Sequence, residues 1–332
     1  MTIKLCKLAF IMTLIVMTLG ALTRLLDAGL GCPDWPGCYG QLIPPDSVQF
    51  TGTTLIDEGK AWMEMIHRYV AATLGLIILF IAVKIERDKT VKPTVRWLSR
   101  SILLLVVVQG LFGMLTVVLK LLPQVVTLHL ISGMLLLALL FLLLLQLTAV
   151  KPVQISTHLR PYALTVLLLL SCQIALGGWT SSNYAGLACP DFPTCQNQWL
   201  PELELAASFN ITDVSKRNYE GGLLTAQSKL TIHVVHRLMA LILLVSIIFL
   251  LLSMRKSPQL QQQAKILLGL TLLQMSLGIA NAVLMLPLPL ALAHNTGAAL
   301  LLLNVIYINY RLSPLPTTVV IDDNSYANQS AT

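Results

Sequence analysis

Eight stretches of about 20 mostly apolar residues, near 6–26, 62–83, 97–119, 125–149, 161–180, 230–253, 264–285 and 289–310, run through the chain. Each is long enough to cross a hydrocarbon core. Lipid offers no partner to a peptide group, so a spanning segment must satisfy its own N–H and C=O groups, and these runs are predicted to be helices. The expected class is an all-α membrane protein. Only 11% of residues are charged, against about a quarter in soluble domains, which excludes a water-soluble globular chain.

An even number of spans puts both termini on one side. Lys4 and Lys7 precede the first span. Lys84, Arg87, Lys89, Lys92, Arg96 and Arg100 surround the second connection, Lys151 and Arg160 the fourth, Arg255, Lys256 and Lys265 the sixth, and Arg311 follows the last span. Most of the 22 basic residues therefore lie on that side, and the positive-inside rule makes it the cytoplasm. The net charge of +7 reports this topology. Basic residues spread over loops without interleaved aromatics predict no nucleic-acid partner. The first span, LAFIMTLIVMTLGAL after two lysines, has the look of a signal peptide. It is expected to be a retained span because its counterpart sits mid-chain. No Arg- and Ser-rich transit segment precedes it, which favours a bacterial inner membrane, with membrane lipid as the surrounding partner.

That counterpart comes from an internal repeat. GLGCPDWPGC at 29–38 returns as GLACPDFPTC at 186–195. The same offset pairs Gly20 with Gly177, Thr23 with Thr180, Ala28 with Ala185, Gln41 with Gln198 and Pro44 with Pro201. IHRYVAATLGL at 66–76 resembles VHRLMALILLV at 235–245, and Gln109 and Gly113 return as Gln274 and Gly278. The expected architecture is two tandem pseudo-symmetric four-helix bundles with the same orientation: residues 1–150, a cytoplasmic joint at 151–160 holding a solvent-exposed His158, residues 161–311, and a polar tail at 312–332.

Cys32 with Cys38 and Cys189 with Cys195 fall in loops on the outer, oxidising side, which predicts a small disulfide ring in each. Free thiols and a four-Cys metal site between the loops are the alternatives. Cys6 and Cys172 lie within spans and read as apolar filler.

Four of the six histidines stand about five residues into even-numbered spans: His67, His129, His236 and His294. Those spans all enter from the outer face, so the imidazoles share one depth, one pair to each repeat. A lone intramembrane histidine is usually a packed, hydrogen-bonded residue; four matched by duplication argue for more. Two imidazoles on facing helices can clasp a planar macrocycle through its iron, as in b-type cytochromes. Zinc fits less well, because each half offers too few ligands at that depth.

The repeats differ at one informative place. The first reads Glu64-Met65-Ile66-His67-Arg68; the second reads His233-Val234-Val235-His236-Arg237. Glu64 shares a helix face with His67, and a carboxylate at a membrane boundary is a functional candidate; an ion pair with Arg24 or Arg68 is its plainer reading. A site with a carboxylate suits chemistry, and one without suits an electron-transfer cofactor. Arg68 and Arg237 suit heme propionates or an interfacial position. His233 is open between an acid/base group, a hydrogen-bonding neighbour and a loop-facing residue.

Gly20-x-x-Thr23-Arg24, Ala28-Gly29-Leu30-x-Cys32-Pro33-Asp34-Trp35-Pro36, Glu64-x-x-His67-Arg68, His129, the second Cys pair, His236-Arg237 and His294 together resemble the heme A synthases over nearly the whole chain. The resemblance implies an oxidoreductase that converts the C8 methyl of heme O to the formyl group of heme A for terminal oxidases. It implies heme b as resident cofactor on His236 and His294, and heme O as substrate between His67 and His129, with Glu64 as the essential carboxylate and Cys32 and Cys38 weighing more in activity than the second pair. His233 has no role in that pattern. The first loop, with Trp35, is expected to cap the substrate site. The rival reading is a di-heme b-type electron-transfer subunit, which needs the same histidines but no carboxylate at one site. A transporter with parallel repeats is a third, disfavoured because the spans read without breaks. The electron acceptor, delivery by a heme O synthase and assembly into a homo-oligomer are not legible in the sequence.

Overall fold

The computed structural model describes residues 2–45, 57–152, 159–212, 214 and 218–313. His158, most of the expected joint and the tail from 314 lie outside them. All eight predicted spans are helices, in the order α1 (Thr2–Leu25), α2 (Glu58–Arg87), α3 (Pro93–Val118), α4 (Pro123–Leu147), α5 (Leu159–Ser182), a short α6 (Leu205–Ser208), α7 (Ala226–Met254), α8 (Gln261–Val283) and α9 (Leu288–Arg311). All but α6 are long and apolar enough to span a membrane. Most extend a few residues beyond the apolar runs, because polar caps complete their ends. Asp57 accepts the Lys60 N–H at 3.1 Å and Thr225 accepts the Ser228 N–H at 3.1 Å. Proline opens α3 and α4, where no N–H is needed.

α1 packs on α2, α2 on α3, α3 on α4, and α4 back on α1. In that ring α2 and α4 stand at opposite corners. α5, α7, α8 and α9 form a ring of the same order, with α7 and α9 opposed. The rings meet through α4 on α5, α1 on α9 and α4 on α9. Exchanging the two sets of helices carries this pattern onto itself.

The apolar cores fill only one end of each ring. In the first, Cys6, Ala9, Leu74, Ile78, Ile81, Ile85, Ile102, Leu140 and Leu143 pack together; in the second, Leu170, Ile247, Leu250, Met254, Leu267 and Val305 are among those that do. Cys6 is buried as expected, whereas Cys172 is exposed on its helix. Toward the end that carries the disulfides, small and polar residues take over: Gly20, His67, Gln109, Gly113 and His129, and Gly177, His236, Gln274, Gly278 and His294.

Sharp reversals close that end. Lys120 and Leu121 between α3 and α4, and Met285 and Leu286 between α8 and α9, have positive φ. The Leu121 N–H reaches Thr116 O, and the Leu286 N–H reaches Asn281 O, both at 2.7 Å. These turns set His129 and His294 into the second turns of α4 and α9. The segment between α5 and α7 crosses to the other ring: the Tyr219 N–H donates to Lys120 O at 3.0 Å, Gln124 Nε2 donates to Ile211 O at 3.0 Å, and Tyr219 packs with Leu121, Leu122 and Val125.

A second crossing joins residues 157 positions apart. Arg24 Nη2 donates to Ser181 O at 2.5 Å, and Tyr184 Oη donates to Asp27 Oδ1 at 2.9 Å. Arg24 also pairs with Asp27 at 3.1 Å and lies 3.9 Å over the Tyr184 ring.

Candidate functional site

The repeated Cys-Pro-Asp motif builds one loop twice. Cys32 is bonded to Cys38 and Cys189 to Cys195, which removes the free-thiol and four-Cys metal alternatives. Beyond each ring the chain enters the left-handed region, at Tyr39 and Gly40 and again at Gln196 and Asn197. Two successive N–H groups then point inward, and the motif aspartate takes both. Asp34 accepts from Tyr39 and Gly40 at 2.6 and 2.8 Å; Asp191 accepts from Gln196 and Asn197 at 2.7 and 2.9 Å.

The Thr194 hydroxyl, at 2.5 Å, and then the Asn197 N–H hold the Asp191 carboxyl down at about 2. An unrestrained aspartate titrates near 3.9, so the ionised loop is favoured above about pH 4 and loses that support as the pH falls toward 2. Hydrogen exchange of the 186–201 segment, compared at each pH with Asp191→Ala, should show protection that fades over this window. Protection that persists unchanged at pH 2 would remove the carboxylate from the account.

The arginines after the site histidines hold these loops. Arg68 Nη1 donates to Asp34 O at 3.0 Å and Gly37 O at 2.6 Å, while Nη2 meets Glu64 Oε1 at 2.5 Å. Arg237 donates to Thr194 O at 2.8 Å and Cys189 O at 2.7 Å. Loop carbonyls thus bind the guanidinium groups for which the sequence left heme propionates or an interfacial position open. Their destination depends on the loop's conformation, for which the sequence carries no local signal.

Glu64 is 4% exposed and is bound at both oxygens: Oε1 by Arg68 and Oε2 by the Cys32 N–H at 2.8 Å. Of the two partners considered for its ion pair, Arg68 is the one found. At the matching place in the second ring, His233 is buried and its Nδ1 donates to Ala185 O at 3.0 Å. Because a carbonyl only accepts, this fixes the proton on Nδ1. His233 is thus a hydrogen-bonding neighbour that faces the loop. Trp35, expected as part of a cap, has its side chain half exposed on the loop.

The four site imidazoles lie between the loops and the apolar cores, on the opposed helices α2 and α4, and α7 and α9. Each rests against a glycine of a neighbouring helix. A Cβ at Gly20 would stand 2.9 Å from His67 Cε1, at Gly278 3.1 Å from His294 Cε1, at Gly177 3.4 Å from His236 Cε1, and at Gly113 3.6 Å from His129 Cε1. His67, His129 and His294 each keep a buried Nδ1 with no hydrogen-bond partner. The unused ring nitrogens of His67 and His129 on the opposed helices α2 and α4, and of His294 on α9, are what an iron macrocycle would need from these residues. Among the described residues no three His, Cys, Asp or Glu gather as a metal-ion site.

Sequence reasoning missed Gln173, whose amide Nε2 lies 3.2 Å from both ring nitrogens of His236 and from its carbonyl oxygen. The only available signal was a polar residue inside an apolar run.

Comparison with known proteins places this arrangement. The family model described as "Cytochrome oxidase assembly protein" (COX15-CtaA) matches residues 4–306. A protein of Shewanella oneidensis named "Heme A synthase" is 42% identical over 321 residues, covering 93% of this chain and 96% of its own length. A protein of the same name from Caulobacter sp. is 26% identical over 90% of this chain and 92% of its own. Another, from Shouchella clausii, is 28% identical over 57% of this chain and 62% of its own.

Proposed function

The chain belongs to the heme A synthase (COX15-CtaA) family of oxidoreductases, and from that premise we propose a division of labour between two four-helix halves, 1–150 and 161–311, joined at 151–160. The first holds heme O as substrate between His67 and His129; the second holds a resident heme b between His236 and His294. The observation that carries this is the difference between otherwise matched sites: a buried carboxylate, Glu64, stands one turn before His67, and a loop-bonded imidazole, His233, takes its place before His236. We place the disulfide loops outside a bacterial inner membrane and both termini in the cytoplasm, following the distribution of basic residues.

The C8 methyl becomes a formyl group in two successive two-electron oxidations, with water supplying the oxygen and four protons leaving with the electrons. A heme b in the second half supplies a one-electron relay toward an external acceptor. Glu64, one turn before His67 on α2, is the carboxylate that would take a proton from attacking water or stabilise positive charge developing on the methyl carbon. Arg68 and the Cys32 N–H hold its two oxygens in place. The disulfide-closed loop above it keeps bulk water from the site.

The test is to express the chain in membranes supplied with heme O, purify it, and identify the extracted pigments by mass alongside a reduced-minus-oxidised spectrum. Hydroxymethyl or formyl heme together with a b-type signal supports the proposal. Two hemes b per chain with heme O untouched would favour the di-heme electron carrier.

The glycine contacts give a sharper expectation. Gly20→Ala brings a methyl closer to an imidazole than packed side chains allow, and Gly278→Ala brings one closer than most do; both should displace their imidazoles, His67 more than His294, lowering heme retention at their own sites. Gly113→Ala, at an ordinary 3.6 Å, should leave retention unchanged. Equal loss in all three would remove the close-fit argument.

A further inference from the structure

Each disulfide loop ends on two exposed apolar side chains. The Cys38 N–H closes on Gln41 O and the Cys195 N–H on Gln198 O, at 2.7 and 2.9 Å, so Leu42 and Ile43 leave the first turn where Trp199 and Leu200 leave the second. Leu42 is 73% exposed, Ile43 64%, Trp199 80% and Leu200 75%. The residues differ between the copies, and their apolar character does not. Trp35 and Phe192, matched in the same way, are half exposed on the same loops. Gln41 to Pro45 and Gln198 to Pro201 carry no charge that would draw them into water. A clustered apolar surface of this kind marks a place that something covers.

The neighbouring helix face indicates what does. On α2 the exposed Trp62, Ile66, Tyr69, Leu76, Phe80 and Val83 recur at spacings of three, four and seven and form one stripe, the face that a membrane span turns to lipid. The Tyr69 hydroxyl, on that stripe, donates to Leu42 O and draws the end of the first loop onto the same side. Arg68 and Arg237, which hold the two loops, stand about three turns, roughly 15 Å, beyond the first residues of α2 and α7. Both positions lie inside apolar runs. The loops thus come down to within a side chain's reach of helix segments that already face lipid.

We propose that the tips of both disulfide loops, 42–43 and 199–200, are seated in the interfacial layer of the adjacent leaflet, with phospholipid as their partner. An indole is favoured at that level, where its ring meets acyl chain and its N–H meets headgroup or water. Each loop is then fastened twice, from within by an arginine and from outside by lipid. The inference concerns only the loops and the spans beside them, so its failure leaves the division of labour between the halves standing.

The test places a photoactivatable benzophenone amino acid in place of Trp199 in the full chain, irradiates it in the membranes of the expressing bacterium, and identifies what it captures by mass. The same probe in place of Leu76, on the α2 stripe, is the lipid-facing reference. In place of Glu220, exposed on the segment that crosses to α4, it is the water-facing one. Phospholipid adducts at 199 should approach the yield at 76 and stand well above that at 220. A second copy of this chain or another protein as the main adduct, or a phospholipid yield no higher than at 220, would overturn the proposal. Should the probe at 199 prevent expression, position 42 decides on the same terms.

Discussion

Glu64→Gln is expected to cut conversion of heme O by about 100-fold or more, the size of effect seen when a positioned proton acceptor or charge stabiliser is removed. The heme b proposed for the second half should be untouched. The substitution is chosen for what it spares. A glutamine is nearly isosteric, and its amide oxygen can still accept the Cys32 N–H that Glu64 Oε2 now takes at 2.8 Å. Arg68 keeps its bonds to the carbonyls of Asp34 and Gly37. The loop should therefore stay seated while the negative charge goes. Full activity in a folded, heme-loaded Glu64→Gln chain would reduce Glu64 to a loop anchor, as His233 is in the other half.

Arg68→Met should destabilise the chain by roughly 3–5 kcal/mol, because it strands a buried carboxylate without its partner; the Glu64 side chain is 5% exposed. Arg237→Met makes the internal comparison. It releases the carbonyls of Thr194 and Cys189 and the Phe192 ring but strands no charge, a loss of roughly 1–3 kcal/mol. Thermal denaturation in one detergent would rank them, and Glu64→Gln added to Arg68→Met should recover part of the larger loss. Equal losses from the two arginine variants would show that the Glu64 charge is not what Arg68 compensates.

The spans were legible because lipid leaves a peptide group one way to be satisfied, and the loops because a disulfide ring and a turn aspartate are encoded within ten residues. The depth of the four histidines followed from counting along predicted helices. Partners chosen across space were not legible. Glu64 and His67 share a face at a spacing of three, yet Arg68 at a spacing of four shares it too, and only the loop's course decides that the carboxylate turns to Arg68 and Cys32. Gln173 looked like one polar residue in an apolar run until the packing of α5 on α7 laid it against His236. The reach of Tyr219 over Lys120 depends on which ring the long segment crosses, and no local pattern states that.

The crossing at Arg24 and Asp27 has a consequence for ancestry. Arg24 touches Ser181 and Asp27 touches Tyr184, each meeting the residue that holds its own place in the other copy. Two separate, identical subunits related by such an axis would bring arginine to arginine and aspartate to aspartate, and any change would strike both at once. Linking the copies in one polypeptide lets one partner of each pair become serine or tyrosine while the other keeps its charge. On the reading of the chain as a fused repeat, the same freedom would extend to Glu64 and its sequence counterpart His233 and would let a symmetric frame hold two unequal centres.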